Sequence, residues 1–288
     1  MTAVWKREFQ SHFQSMIGYV FVAVLMVFIG IYFLAYNMMS GYPYFSYTIS
    51  NSLLVLVFAI PVLTMRSFSE ERRTKTDQLL FTAPISIGKI VMGKYLGMIA
   101  VFAIPVLFSC LCPLVIMMQG NSYPKVDYST IFAFFLVGSV YIAIGMFISA
   151  LTESQVIAAV ASIGILLVIQ MWEGIIGLIP TSEVGSLVGF IIVLTVVACI
   201  VYSMTKNYII AIAIEAVGVL ALLITYNLKS SLFCSALPNL LGKLNFLDYF
   251  DNFAFSNIFD VTGVVFYVSV SMFFVFLTTQ VLQKRRWS

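Results

Sequence analysis

Residues 17–37 read IGYVFVAVLMVFIGIYFLAYN, an apolar run without a single charged side chain. About 20 such residues is the length at which an α-helix crosses the hydrocarbon of a bilayer. Outward from this run the pattern persists, with no acidic or basic residue between Glu8 and Arg66 apart from His12, the sole histidine. Across 288 residues 61% are hydrophobic and 9% charged, with a mean hydropathy of +1.05. A soluble domain carries roughly a quarter charged residues, so this chain could not cover its surface in water. Lipid must be its solvent. In hydrocarbon every backbone group has to be bonded internally, which leaves helices or closed barrels. Barrels need alternating segments of ~10 residues, whereas these runs are continuous. The expected fold is therefore all-α, a polytopic transmembrane helical bundle forming one transmembrane domain over residues 1–288.

About eight membrane segments are expected, at roughly 17–37, 51–67, 89–118, 128–151, 155–179, 186–205, 207–227 and 262–283. The third carries Pro105 and Pro113, which predict a tilt or kink. The joint at Lys206-Asn207 predicts either a tight hairpin or a misplaced boundary. With both termini cytoplasmic, the inside segments hold Lys6, Arg7, Arg66, Arg72, Arg73 and Lys75. They also hold Lys89, Lys94, Lys206, Lys284, Arg285 and Arg286, leaving outside only Lys125, Lys229 and Lys243. That asymmetry satisfies the positive-inside rule, so the net charge of +3 signals topology rather than nucleic-acid binding. The expected location is the cell (plasma) membrane. The first apolar run is span-length and lacks a small-x-small cleavage site, unlike a cleaved signal peptide.

Several peripheral pieces stand out. In AVWKREFQSHFQSMI (residues 3–17) Val4, Trp5, Phe9, Phe13 and Met16 recur at helical spacing, with Lys6, Arg7, Gln10 and Gln14 on other faces. Residues 1–16 thus suit a helix lying in the cytoplasmic interface, or else a straight extension of the first span. Residues 228–261 form a longer external segment in which Phe246, Tyr249, Phe250, Phe253 and Phe255 are interleaved with Asp248, Asp251 and Asn252. Rings at that density prefer a headgroup layer, as a short helix on the outer leaflet or over an exit, whether structural cap or gate. Gly185/Gly189, Gly145/Ser149 and Ala158/Ser162 are small-xxx-small pairs that allow close helix packing, within one chain or between two. Cys110, Cys112, Cys199 and Cys234 suit no disulfide framework. Cys110 and Cys112 diverge on a helix and have no further metal ligand nearby.

Residues 70–84, EERRTKTDQLLFTAP, concentrate charge in a chain nearly bare of it. Catalysis is the first possibility to test. The stretch begins like the Glu-Glu-x-x-x-Arg motif of intramembrane prenyl-protein proteases, yet position 75 is Lys, and one histidine cannot assemble such a site. Gly88-Lys-Ile-Val-Met-Gly-Lys94 imitates the glycine and lysine spacing of a phosphate-binding loop. Tyr95 replaces the magnesium-holding Ser/Thr, no strand precedes Gly88, and a membrane helix start is expected there instead. Lys89 and Lys94 then read as interface anchors. What remains is a binding element of residues 68–88. Glu70 and Glu71 lie three to five positions before Arg73 and Lys75, a spacing for local ion pairs on a helical turn. Ser86 is placed to cap the next helix. A solvated loop would need only bases; the added acids and the Leu79-Leu80-Phe81 knob fit docking into a soluble partner, beside the plainer reading of a connector. Glu215, in the middle of an apolar run, requires a polar partner, a cavity or protonation. It and Glu173, beside Trp172 near a span's outer end, are the candidate pathway residues.

The whole stretch SFSEERRTKTDQLLFTAPISIGKIVMGKYLG (residues 67–97) resembles the loop and following helix of permeases in the ABC transporter type-2 exporter class. The most similar subgroup is the gliding-motility and nitrous-oxide-reductase-maturation type. The matching elements are Ser69-Glu70-Glu71-Arg72, Thr76-Asp77-Gln78-Leu79-Leu80, Ala83-Pro84-Ile85-Ser86 and Gly93-Lys94. Lys75 stands where many members have Gly. Residues 149–155, the 247–253 segment and the terminal Arg285-Arg286-Trp287 extend the likeness over essentially the whole chain. The resemblance implies a non-catalytic permease subunit, binding no cofactor or metal itself, with ATP and magnesium held by a separate ABC ATPase. Residues 68–88 would carry the cytoplasmic coupling helix, with Glu70, Glu71, Arg72, Arg73, Thr76, Asp77, Leu79 and Leu80 docking that ATPase. Residues 1–16 would be the elbow helix, and a second permease, identical or related, would complete the pathway. The function so implied is ATP-driven transport, as an exporter, of a substrate the sequence does not name. The rivals are a secondary transporter or channel working without an ATPase, which usually shows inverted repeats, and a membrane scaffold.

Overall fold

The computed structural model describes residues 2–76, 86–120, 123–206, 208–256 and 259–286. Among the described residues the regular structure is helical and no strand occurs. Helix α1 (Thr2–Gln14) is separated by a break at Ser15–Met16 from α2 (Ile17–Tyr32), which runs on into a π-helical turn, Phe33–Met39. Then follow α3 (Ser46–Thr64), the short α4 (Ser69–Arg73), α5 (Ile87–Ser109), α6 (Cys112–Gln119), α7 (Pro124–Leu151) and α8 (Gln155–Gln170). The remaining helices are α9 (Trp172–Gly177), α10 (Glu183–Thr205), α11 (Tyr208–Leu228), α12 (Ala236–Gly242), α13 (Phe246–Ala254) and α14 (Val261–Arg286).

Six of these stretches are long and apolar enough to cross a membrane: Ile17–Met39, Ser46–Arg73, Ile87–Gln119, Pro124–Leu151, Glu183–Ser203 and Val261–Arg285. The sequence expectation of eight is therefore met in kind but not in number. The run at 155–179 is interrupted at Met171, leaving α8 with 16 residues. At 1.5 Å per residue that is about 24 Å, short of the ~30 Å hydrocarbon layer. The run at 207–227 contributes a second shorter apolar helix, Ile212–Leu228. The expected kink in the third span is a break at Cys110–Leu111 between α5 and α6. Its cause is local, because Pro113 has no N–H to give and its ring crowds the carbonyl four residues back. The residue fits only in the first turn of a new helix, where it sits.

The helices cluster in two compact units, residues 1–170 with 247–288, and residues 171–246. In the first, α7 is the central helix, packed against α14, α3, α5 and α8. Phe134, Val140, Tyr141, Ile142, Ala143, Met146 and Ala150 are each at most 1% exposed. Between helices in lipid the hydrophobic drive is weak, so close approach through small residues matters more. Gly145 supplies it: a Cβ there would lie 2.3 Å from the Thr64 hydroxyl. Gly138 likewise accommodates the ring of Phe102. The Gly145/Ser149 pair thus serves a contact within the chain, between α7 and α3, and Ala158 and Ser162 on α8 are also fully buried.

At one end of this unit, Asp127 in the first turn of α7 accepts the Phe45 amide at 2.8 Å, capping α3 from a neighbouring helix. Asn37 donates to the Tyr42 and Tyr44 carbonyls at 2.8 and 3.1 Å and accepts from Thr48 at 2.7 Å, so it organises the adjoining loop. The aromatic helix α13 belongs to the same end. Phe250 and Phe253 are fully buried. Tyr249 stacks on Phe266 at 4.7 Å between ring centroids, and the Phe253 carbonyl accepts from Thr130 at 3.2 Å. Its rings are spent on protein, which makes α13 a packed cap of this bundle rather than a helix floating on a leaflet.

In the second unit α10 and α11 form the hairpin anticipated at 206–207. Lys206 takes the left-handed conformation (φ 50°) that ends α10, and Gly218 receives Leu194. Gly189 receives Leu237 of α12 and Gly185 abuts Pro180, so that GxxxG serves local packing inside this unit.

Candidate functional site

The described part of the charged stretch, helix α1 and the end of α14 come together at one end of the first unit. Helix α3 ends at Thr64, and a tight turn leads into α4, a single helical turn. Such a short helix cannot satisfy its own first amides, and a residue 80 positions away does so. Ser149, at the end of α7, accepts the Phe68 and Ser69 amides at 3.1 and 3.2 Å and donates to the Met65 carbonyl at 3.1 Å. Arg72 donates to the Ala150 carbonyl at 2.8 Å, placing a cation at the negative end of α7. It also pairs at 3.2 Å with Glu153, which in turn meets Arg285 of α14 at 3.5 Å. The turn, the α7 end and the C-terminal helix are thereby locked together.

Helix α4 closes with a Schellman arrangement: the Thr76 amide donates to the Glu71 carbonyl at 2.9 Å, and the Lys75 amide to the Arg72 carbonyl at 3.2 Å. That motif needs a left-handed residue at its fifth position, and Lys75 provides it with φ 58°. The conformation explains why glycine is at home at this position and why lysine there is strained.

On the other side of α4 lies Lys94 of α5, only 3% exposed. Its ammonium donates to Glu71 Oε1 at 2.7 Å, Glu8 Oε1 at 3.1 Å and the Ser67 carbonyl at 3.0 Å, which uses all three of its protons. It also lies 5.2 Å from the centre of the Phe68 ring, within cation–π range. One ammonium therefore joins α1, the α3–α4 turn and α5. The approach of α1 that makes this possible runs over Gly93 and Gly97. A Cβ on Gly93 would stand 2.8 Å from Val4, and one on Gly97 3.0 Å from the Glu8 Cβ. Trp5 donates to the Leu96 carbonyl at 3.2 Å. Helix α1 is thus seated on protein as much as on any surrounding lipid.

The sequence-predicted residues fall into three groups. Glu70 pairs with Arg66 in a two-point contact of 2.5 and 2.7 Å, and Glu71 with Lys94. The expected pairing with Arg73 and Lys75 is replaced by a partner on the preceding turn, Arg66, and one on another helix, Lys94. Arg73, Thr74, Lys75 and Thr76 are exposed. Asp77, Leu79 and Leu80, with Phe81 and Pro84, lie outside the described residues, as does Trp287. Ser86 occupies the N-cap position of α5 with extended backbone, but its side chain makes no capping bond. Residues 87–94 are helical, so their amides cannot form a phosphate cradle. Lys94, read as an interface anchor, is instead a buried hub.

The family described as ABC-2 family transporter protein matches residues 2–254, which include α1 to α13 and all of this cluster except Arg285. The chain belongs to that family. No curated protein matches the chain. This ABC-2 permease is accordingly the membrane component of an ABC transporter and a multi-pass membrane protein.

In the second unit of the permease, Glu215 on α11 is half-buried and accepts from Thr195 of α10 at 3.2 Å, a polar contact within the hairpin. Glu173 is exposed in the first turn of α9. Both belong to the second unit, whereas the Lys94 cluster belongs to the first. Four contributors to that cluster escaped sequence reading: Glu8, Ser149, Glu153 and the Gly93/Gly97 pair. Two signals were present, since Glu8 is the only acid before Glu70 and Gly93-x-x-x-Gly97 is itself a small-xxx-small pattern.

Proposed function

We propose that this chain is the permease subunit of an ATP-driven exporter of the gliding-motility and nitrous-oxide-reductase-maturation type, and that α4 with its flanking turns is where a separate ATPase pushes. One observation supports this above others: α4 is bonded directly to Lys94 and to the Ser149–Glu153 segment and, through Lys94 and Glu153, is linked to Glu8 and Arg285. A shift in a packed, two-state element is transmitted only through contacts that hold in both states. Force applied to the exposed Arg73–Thr76 edge would pass by these bonds into α5, α7 and α14 together. Docking then falls to Glu70, Arg72, Arg73 and Thr76 with Asp77, Leu79 and Leu80, while Glu71 fixes the element from behind. ATP and magnesium belong to the ATPase.

The concentration of bases at the terminus-bearing end supports a plasma-membrane topology with both termini cytoplasmic. α8 with α9, and α11, supply the two further crossings that make eight. A second permease, identical or related, completes the pathway, with Glu215 and Glu173 as candidate residues along it.

The test is copurification with the ATPase and ATP-dependent flux in proteoliposomes. Arg73→Glu combined with Lys75→Glu should abolish both while membrane insertion and yield stay normal. Undiminished association and flux in that double variant would overturn the docking assignment.

A further inference from the structure

A cavity of about 320 Å³ opens beside the Lys94 cluster, between α1 on one side and the α3–α4 turn on the other. Its wall is polar except for Ile17 and Leu63, which are the first residue of α2 and the penultimate residue of α3. The cavity therefore sits where the apolar spans stop, at the depth of the lipid headgroups.

Its hydrogen-bonding capacity is unevenly used. Lys94 gives all three protons to Glu8, Glu71 and Ser67, while Arg66 gives two of its five N–H groups to the carboxylate of Glu70. Among the described residues two buried acceptors remain without a hydrogen-bond partner, Glu71 Oε2 and the hydroxyl of Ser67, a residue 8% exposed. At the mouth stands Arg7, which is exposed and makes no hydrogen bond or ion pair among the described residues. His12 bonds the Glu8 carbonyl through Nδ1 at 2.8 Å, which leaves its Nε2 unengaged among the described residues. Among the described residues the inner end thus leaves a carboxylate oxygen and a hydroxyl without a hydrogen-bond partner, and the rim leaves a cation without an ion pair.

Three acids (Glu8, Glu70, Glu71) face three bases (Arg7, Arg66, Lys94) around this space. A simple cation or anion gains little from a wall that sums to zero. A ligand with an ammonium at one end and a phosphate at the other gains at both. We infer that the cavity binds the headgroup of a phospholipid bearing a primary ammonium, of the phosphoethanolamine class. The ammonium donates to Glu71 Oε2 and Ser67 Oγ, and the phosphate meets Arg7 and His12 at the mouth. A trimethylated, choline-type headgroup has no N–H to give, so the site discriminates by hydrogen bonding rather than by charge. This goes beyond the transport reading and stands without any ATPase, so failure of one leaves the other intact.

The experiment is native mass spectrometry of the full-length permease, purified in detergent and offered equal amounts of ethanolamine and choline phospholipids with identical acyl chains. Ser67→Ala removes an inner acceptor, Arg7→Ala removes the rim cation, and Ser11→Trp fills the cavity from the α1 side; none touches the Lys94 pairs. Wild type should retain the ethanolamine lipid about tenfold over the choline lipid, roughly the worth of one hydrogen bond to a charged group at the low end of its range. Ser67→Ala and Ser11→Trp should bring the ratio near one, and Arg7→Ala should weaken both lipids alike. Soluble phosphoethanolamine, added as competitor, should displace the lipid only in large excess if the bilayer source is the relevant one. Equal retention of the two lipids by wild type, or an unchanged ratio in Ser67→Ala and Ser11→Trp at unaltered melting temperature, would overturn the assignment.

Discussion

A lysine that is 3% exposed at the end of a membrane helix has few ways to keep its charge. Lys94 has found the most demanding one, with every proton donated and two carboxylates in contact. Removing one partner of a buried ionic group costs roughly 3–5 kcal/mol, because the remaining charges are stranded. Lys94→Met should therefore lower the melting temperature sharply by leaving Glu8 and Glu71 unscreened. The triple variant Glu8→Gln, Lys94→Met, Glu71→Gln should recover part of the loss. A single variant that melts with wild type would remove the hub from this account. Lys75 makes the opposite prediction. A left-handed non-glycine residue costs roughly 1–2 kcal/mol, so Lys75→Gly should stabilise the α4 turn by about 1 kcal/mol. Slower amide exchange at Thr76 would register the gain, and Lys75→Val should exchange faster than wild type.

For the elements, two glycine-lined contacts decide whether the bundle end behaves as one piece. Helix α1 can reach Lys94 only because Gly93 and Gly97 present bare backbone to Val4 and Glu8. Overpacking a tight interface costs about 1–3 kcal/mol. Gly97→Leu should thus lift α1 and raise trypsin cleavage after Arg7 by roughly tenfold or more, since proteolysis tracks the open population. Unchanged cleavage would mean that α1 is held elsewhere. The α3–α7 contact is subject to the same physics. Gly145→Val would drive a side chain into Thr64 and separate Ser149 from the turn it caps. The expected result is a lower yield of folded protein and, on the proposed docking at the exposed edge, loss of ATP-dependent flux with association retained. Loss of association instead would show that the edge has no independent shape.

Across the whole molecule, contacts place α1, α4, the α7–α8 turn and the end of α14 at a single end of the first unit. In a cysteine-free background, Gln10→Cys and Gln283→Cys should react with a membrane-impermeant thiol reagent from the same side, and Met39→Cys from the other. Labelling of positions 10 and 283 from opposite sides would contradict the arrangement.

Much of this was legible in the residues themselves. The helical membrane fold and the break at Pro113 follow from composition and local sterics, whereas the separation of α1 from α2 was one of two readings the residues allowed. Composition and local sterics are properties a segment has regardless of its neighbours. The number of full crossings was less legible, because hydropathy does not reveal the interruption at Met171. The partners of the charged residues were not legible at all. Glu71 meets Lys94 across 23 positions, Glu8 meets it across 86, and Arg72 reaches the Ala150 carbonyl across 78. Pairing at such separations depends on which helix faces meet, and the pattern of apolar residues is nearly uniform around these helices because lipid and protein are equally apolar neighbours. The sequence by itself determined that the chain is a helical membrane protein with a charged knuckle between two spans. Only the tertiary structure decided that the knuckle is fastened from behind, since buried charges in a low-dielectric bundle must find opposite charges wherever the fold brings them.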